Sequence, residues 1–139
     1  MEIRALVVMS DPPPDIPGAT QSIGTPGPRN FNHDPALPHF TRTVDGARFD
    51  FQLSVQESHR HVEVLAYGFE LTLSEGAPVK FLRFDLSPPI HKNTQNGLRS
   101  HAHLGSDDDG FSIPAQMLSP FEVFDFFLHL MRPGERRRR

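Results

Sequence analysis

Two histidines separated by a single residue, His101 and His103, are the side chains whose types and spacing best suit chemistry in this chain. In an extended segment alternate side chains share a face, so both imidazoles point to one side and Ala102 points to the other. A strand can in this way present two imidazoles to one bound species. The sequence leaves open whether that species is a metal ion, a phosphate or water.

Three residues upstream can join this histidine pair. Arg83 and Asp85 lie two residues apart in an apolar, strand-like segment and therefore share a face, while His91 follows after a pair of prolines. If the segment with His101 and His103 pairs beside the segment with Arg83 and Asp85, four of these side chains meet on one face of a sheet. Arg83, Asp85, His91, His101 and His103 are therefore the predicted catalytic residues.

Three interpretations of this group stay open. Two neutral imidazoles and a carboxylate suit a divalent transition metal such as Zn²⁺, Mn²⁺ or Fe²⁺, with His101, His103 and Asp85 (or one of residues 107–109) as ligands. Without a metal, one histidine can act as general base and the other as general acid, while Arg83 balances phosphate charge, which is the minimum for cleaving RNA through its 2′-hydroxyl. The third interpretation is an exposed polar sheet face with no chemical role.

Other polar motifs favour structural roles. A second His-x-His, residues 59–61, falls at a predicted chain reversal and reads as an exposed turn. Residues 107–109 are three aspartates that lack the spacing of a calcium loop, and His129 suits the end of a helix. The four terminal arginines, residues 136–139, can contact phosphate or an acidic partner, or they form a free end. No Gly-rich phosphate loop or Gly-x-Ser-x-Gly elbow occurs, which disfavours nucleotide hydrolysis and esterase chemistry.

Composition limits the class of protein. The 139 residues suffice for one small domain, and the absence of cysteine excludes disulfides and thiolate metal sites and fits a reducing compartment, so we expect a cytoplasmic protein. No apolar run approaches the ~20 residues of a membrane-spanning helix, so no membrane partner is expected. The net charge is −3 although four basic residues end the chain, so the body is acidic and is not a general nucleic-acid surface.

The chain divides into three predicted regions. Residues 1–39 form a predicted Pro-rich arm. Its first nine residues can form a short strand, whereas residues 10–38 are rich in proline and glycine and are predicted to lack regular structure, as either a partner-docking segment or a solvated leader or linker. Residues 40–133 predict the folded domain. Residues 134–139 form an arginine-rich tail.

Hydrophobic patterning within the domain predicts an α+β fold. Strict apolar–polar alternation predicts about five strands of an antiparallel sheet, and a change of parity near Val64 and Leu65 predicts a β-bulge. Ser119 followed by Pro120 and Glu122 is a capping box that starts a C-terminal helix. Because phenylalanine and leucine cover most of that helix, it must pack on the sheet or on a partner.

The order of these motifs resembles the TumE-like toxins of bacterial toxin–antitoxin modules and related uncharacterised bacterial families. The resemblance covers residues 47–132 and lies in an Arg-aromatic-Asp step (Arg83 to Asp85), a Pro-x-His (at His91), a His-x-His (His101 and His103) and a final helix. It implies a toxin-like protein of a two-protein module, with a protein partner and RNA as substrate, in which these five residues act.

An alternative from a different class is a non-catalytic assembly or defence accessory subunit. In that hypothesis the Phe-rich helix and the Pro-rich arm bind larger proteins. An exposed aromatic face on the helix would favour the accessory subunit, whereas a helix packed on its own sheet would favour the toxin-like protein.

Leu86 stands where the toxin-like families carry Asn, and the Pro-rich arm is an addition to their pattern.

Overall fold

A single antiparallel sheet dominates the structure, a computed structural model that describes residues 7–74, 76–77, 79–89, 99–105 and 112–130. Eight strands lie in this described part, and one helix follows them. The predicted α+β class is therefore confirmed, but the predicted number of five strands was too low. The strands are β1 (Val8–Ser10), β2 (Gln21–Gly24), β3 (Phe40–Thr41), β4 (Arg48–Glu57), β5 (Val62–Thr72), β6 (Phe81–Leu86), β7 (Ser100–Leu104) and β8 (Ser112–Pro114).

The Pro-rich arm supplies two of the additional strands. The sheet order is β1-β2-β4-β5-β6-β7-β8, and β3 pairs with β4 beyond the end of β2. Strand β1 overlaps the short strand predicted within residues 1–9. Strand β2 lies in the stretch that was predicted to lack regular structure, so that prediction was wrong there. No proline occurs between Pro17 and Pro26, so the backbone amides of β2 remain free to pair with β4, and Ile23 lies opposite Leu53.

The predicted bulge lies in the central hairpin. Ser54 pairs with Ala66 while Val55 pairs with Val64, which leaves Leu65 as the extra residue of β5. Because side chains alternate along a strand, this extra residue switches which side chains of β5 face the core. Downstream of it, Tyr67, Phe69 and Leu71 occupy the core face, and small or polar residues occupy the other face.

The C-terminal helix covers the apolar face. Helix α1 (Pro120–Asp125) starts with the predicted capping box, in which Ser119 Oγ accepts from the Glu122 amide and the Glu122 carboxylate accepts from the Ser119 amide. A π-helical turn (Phe126–Leu130) continues it. No helix in the described part of the chain is long and apolar enough to cross a membrane. The buried core comprises Ala47, Phe49, Phe51, Tyr67, Phe69, Leu71, Leu82, Leu86, Val123 and Phe127.

Candidate functional site

The face of the sheet opposite the helix carries four of the five predicted catalytic residues. Strand β6 pairs with β7 so that Arg83 lies opposite His103 and Asp85 lies opposite His101. The pairing predicted from the sequence is therefore confirmed, and it brings these four side chains to one face. His91, the fifth predicted residue, lies outside the described residues.

The carboxylate and the two imidazoles lie within reach of one metal ion. Asp85 Oδ2 lies 3.6 Å from His101 Nε2 and 3.5 Å from His103 Nε2. One potential ligand atom from each of the three residues lies within 4.8 Å of the others. Metal–ligand bonds of about 2.0–2.2 Å place tetrahedral ligand atoms about 3.4 Å apart. The observed spacing is therefore close to that of a first coordination shell.

Two guanidinium groups keep Asp85 ionised. Arg83 Nε donates to Asp85 Oδ2 at 2.9 Å, and Arg29 Nη2 donates to Asp85 Oδ1 at 2.6 Å. Burial alone raises the pKa of Asp85, but the neighbouring His103, Arg29 and Arg83 outweigh burial and lower it to about 2. The carboxylate is therefore charged at neutral pH, which is the form that binds a metal.

His103 is the most completely buried polar side chain of the site. Its exposed fraction is 0%, and neither ring nitrogen has a hydrogen-bond partner among the described residues. Buried imidazoles normally donate from one nitrogen and accept at the other, and an unsatisfied buried polar atom is costly. Its Nε2 atom points toward Asp85 at 3.5 Å, so a ligand bound between them would complete its bonding.

The Pro-rich arm reaches this site through Arg29, a residue that no sequence motif indicated. The Arg29 side chain crosses above Gly68, the β5 residue that pairs with Asp85. A Cβ atom at position 68 would lie 2.9 Å from Arg29 Nη2 and 3.2 Å from Asp85 Oδ1. The glycine therefore provides the space in which Arg29 bonds Asp85. The guanidinium also lies 4.9 Å from the centre of the Phe31 ring.

His33 is a second attachment of the arm to the same face. Its backbone adopts a left-handed conformation with φ of 55°, which directs the imidazole onto the Phe81 ring at 4.3 Å. His33 Nδ1 lies 2.5 Å from Glu70 Oε1, and Glu70 lies opposite Arg83 in the sheet. The two-residue period of β5 places Glu70 on the polar face, and that is the one sequence signal that could have identified it.

A cavity of about 610 Å³ separates the arm from the polar face. Pro13, Ile16 and Phe31 line it from the arm, and His101 lines it from the sheet. Asp50, on β4, also faces this cavity. Burial raises the pKa of Asp50 to about 6, although the charges of Arg29, His39 and Arg48 oppose this shift. The polar face is thus accessible to a ligand at His101 and closed at His103.

The remaining candidates lie away from this cavity or outside the described residues. His59, Arg60 and His61 are exposed at the hairpin between β4 and β5, as predicted for a turn. His129 is exposed on the π-helical turn. The three aspartates at positions 107–109 and the terminal arginines lie outside the described residues.

Comparison of the chain with protein-family models, with curated proteins and with solved structures found no match. The resemblance to the TumE-like toxins rests on short motifs, two of which lie on neighbouring strands of the described sheet.

Proposed function

We propose that this protein is a metal-dependent hydrolase in which Asp85, His101 and His103 hold one divalent transition metal. The observation that carries this proposal is the convergence of the three ligand atoms within 4.8 Å, on a fully buried imidazole that has no other described bonding partner. Two histidines and one carboxylate leave further coordination positions for water and substrate.

The residues of the site divide the chemistry among them. A divalent metal supplies Lewis acidity and lowers the pKa of water, which are the requirements for hydrolysis near neutral pH. Arg83 orients Asp85 through its 2.9 Å hydrogen bond. Arg29, whose side chain is 34% exposed, lies where it can stabilise negative charge that develops on the substrate.

A metal-free mechanism fits the site less well. General acid–base catalysis requires each histidine to reach a proton of the substrate. His101 lines the cavity, but His103 is completely buried and does not. A buried imidazole can still serve as a metal ligand, because the ion itself then faces the cavity.

The packing of the helix bears on the accessory-subunit alternative. Val123 and Phe127 have exposed fractions of 0%, and Phe124 and Phe126 pack against the core. Phe121 alone among the helical phenylalanines is fully exposed, at 83%. A helix that packs on its own sheet favours the toxin-like protein over the accessory subunit. The role in a toxin–antitoxin module, RNA as substrate and a protein partner stay proposals that the resemblance supports.

Metal content tests the proposal directly. Full-length protein loaded with Zn²⁺ and dialysed is expected to retain about one ion per chain by inductively coupled plasma mass spectrometry, with loss on chelation. Asp85→Asn, His101→Ala and His103→Ala are each expected to weaken metal binding by at least about tenfold. The matched control is the double variant His59→Ala, His61→Ala, which removes the exposed His-x-His and is expected to bind zinc like the wild type.

Two outcomes would contradict the metal site: wild-type protein that retains no metal, or zinc retention that survives all three site substitutions. The toxin-like role has its own test in bacterial growth. Expression of the wild type is expected to arrest growth, and His101→Ala and His103→Ala are expected to relieve the arrest. If growth arrest persists in both variants at equal protein levels, toxicity does not depend on this site.

A further inference from the structure

The cavity beside the proposed metal site carries an excess of negative charge. Its described lining, histidine aside, contains four carboxylates and two guanidiniums: Asp15, Asp50, Glu70, Asp85, Arg29 and Arg83. Surfaces that bind RNA strands have the opposite excess, because each phosphate is neutralised by a cation. A volume of about 610 Å³ is typical of sites that bind small molecules.

Asp50 differs from the other buried carboxylates of this cavity because no hydrogen bond or ion pair holds it within the described part of the chain. Asp85 bonds Arg29 and Arg83, and Glu70 bonds His33. Asp15 is exposed, whereas Asp50 is largely removed from solvent. The charges of Arg29, His39 and Arg48 act on Asp50 from a distance, but its burial outweighs them. An ionised carboxylate in such a place is unfavourable unless a ligand brings direct hydrogen-bond donors or further positive charge.

The strand register separates Asp50 from the metal ligands within the sheet. Asp50 pairs with Glu70 on β5, and Gly68, two residues away on the same strand, pairs with Asp85. Asp50 and Asp85 are therefore two strands apart across the sheet and two residues apart along it. These offsets place their Cα atoms about 12 Å apart. A ligand that contacts both therefore needs two separate polar groups joined by a short spacer.

We infer that the substrate is a small amide or ester that carries an amine, with its ammonium group at Asp50 and its carbonyl group at Asp85, His101 and His103. This inference rests on the proposed metal-dependent hydrolysis and specifies its substrate class, in place of the RNA that the resemblance to the toxin-like families implies. Water adds to the carbonyl carbon, the C–N or C–O bond breaks, and the proton from water passes to the leaving amine or alkoxide. A phosphate ester is disfavoured because its own charge would meet the excess of carboxylates.

The test uses probes that bind metals without being hydrolysed. Three series of linear alkyl hydroxamates of graded length end in an ammonium, a methyl or a carboxylate group, and isothermal titration measures their binding to the zinc-loaded full-length protein. At the best length the ammonium probe is expected to bind at least about tenfold more tightly than the methyl probe, and the carboxylate probe most weakly. Asp50→Asn is expected to remove the difference between the ammonium and methyl probes.

The controls separate this inference from the proposed metal site. Asp11→Asn makes the same charge change at an exposed position outside the cavity lining and is expected to keep the preference. The amine inference would be overturned if the protein retains zinc but binds all three end groups equally, prefers the carboxylate probe or binds no probe. The metal site would stand in each of these cases. Loss of zinc retention in the wild type would overturn both.

Discussion

The two faces of one sheet are built on opposite principles. The face under the C-terminal helix is closed by aromatic contacts, such as Phe51 stacked on Phe69 at 5.3 Å between ring centres. The face under the Pro-rich arm holds Arg83, Asp85 and His103, all nearly buried. Apolar burial supplies most of the folding free energy, whereas buried charge contributes little net stability. The comparison indicates that one face maintains the fold and the other is available for chemistry.

The largest effect is expected on the apolar face. Phe69 is 0% exposed and contacts four other aromatic rings, so Phe69→Ala is expected to lower the free energy of unfolding by about 4 kcal/mol. Urea denaturation followed by circular dichroism measures this change. The control Phe121→Ala removes an 83% exposed ring and is expected to change stability by less than about 0.5 kcal/mol. Similar losses in both variants would contradict this assignment of the core.

On the polar face, Asp85→Asn is expected to have the next largest effect. The substitution keeps the shape of the side chain but leaves two guanidiniums facing a neutral amide, and Arg83 is only 5% exposed. We expect a loss of about 3 kcal/mol, less than complete removal of a fully buried pair because Arg29 is partly solvated. Urea denaturation with a chelator present measures the loss without any contribution from metal. Unchanged stability would show that water replaces the carboxylate.

How much the sequence could predict differs between the same two faces. Period-two alternation, the parity change near Leu65 and the capping box at Ser119 are local patterns, and each identified its element correctly. The grouping of Asp85 with His101 also followed from alternation, once β6 and β7 were assumed to pair.

The contributions of the arm could not be predicted in this way. Arg29 reaches Asp85 from 56 positions away, through a chain path that no periodicity encodes. Proline content correctly indicated long irregular stretches, but it concealed the strand at Ile23, since only the amides that pair must be free of proline. Long-range contacts between an irregular segment and a sheet depend on tertiary packing, which composition does not specify.

A smaller effect of opposite sign is expected at Asp50, and it depends on pH. Burial raises the pKa of Asp50 from 3.8 to about 6, so between these values the folded state keeps a proton that the unfolded state releases. The stability of the wild type therefore falls as pH rises from about 4 to 6, and the loss remains at higher pH. The full shift corresponds to about 3 kcal/mol. Because Asp50 is only partly buried, we expect Asp50→Asn to be about 2 kcal/mol more stable than the wild type at pH 7.5 and equal to it below pH 4.

Urea denaturation at a series of pH values measures the Asp50 effect, with Asp11→Asn as the exposed control. A difference that stays constant across the pH range would contradict a titrating carboxylate. If the same variant is more stable and also loses the preference for the ammonium probe, the protein retains a destabilising charge because that charge binds its ligand.

The smallest effect, at Gly68, tests whether the arm and the polar face act as one unit. Alanine in a strand is intrinsically favoured over glycine by about 0.5–1 kcal/mol, but here its Cβ would lie 2.9 Å from Arg29 Nη2. Gly68→Ala is therefore expected to destabilise the wild type by about 1 kcal/mol, because Arg29 must leave Asp85. In an Arg29→Ala background the same substitution is expected to be neutral or stabilising. Equal effects in both backgrounds, measured by urea denaturation, would mean that Gly68 serves the sheet and not the contact between arm and site.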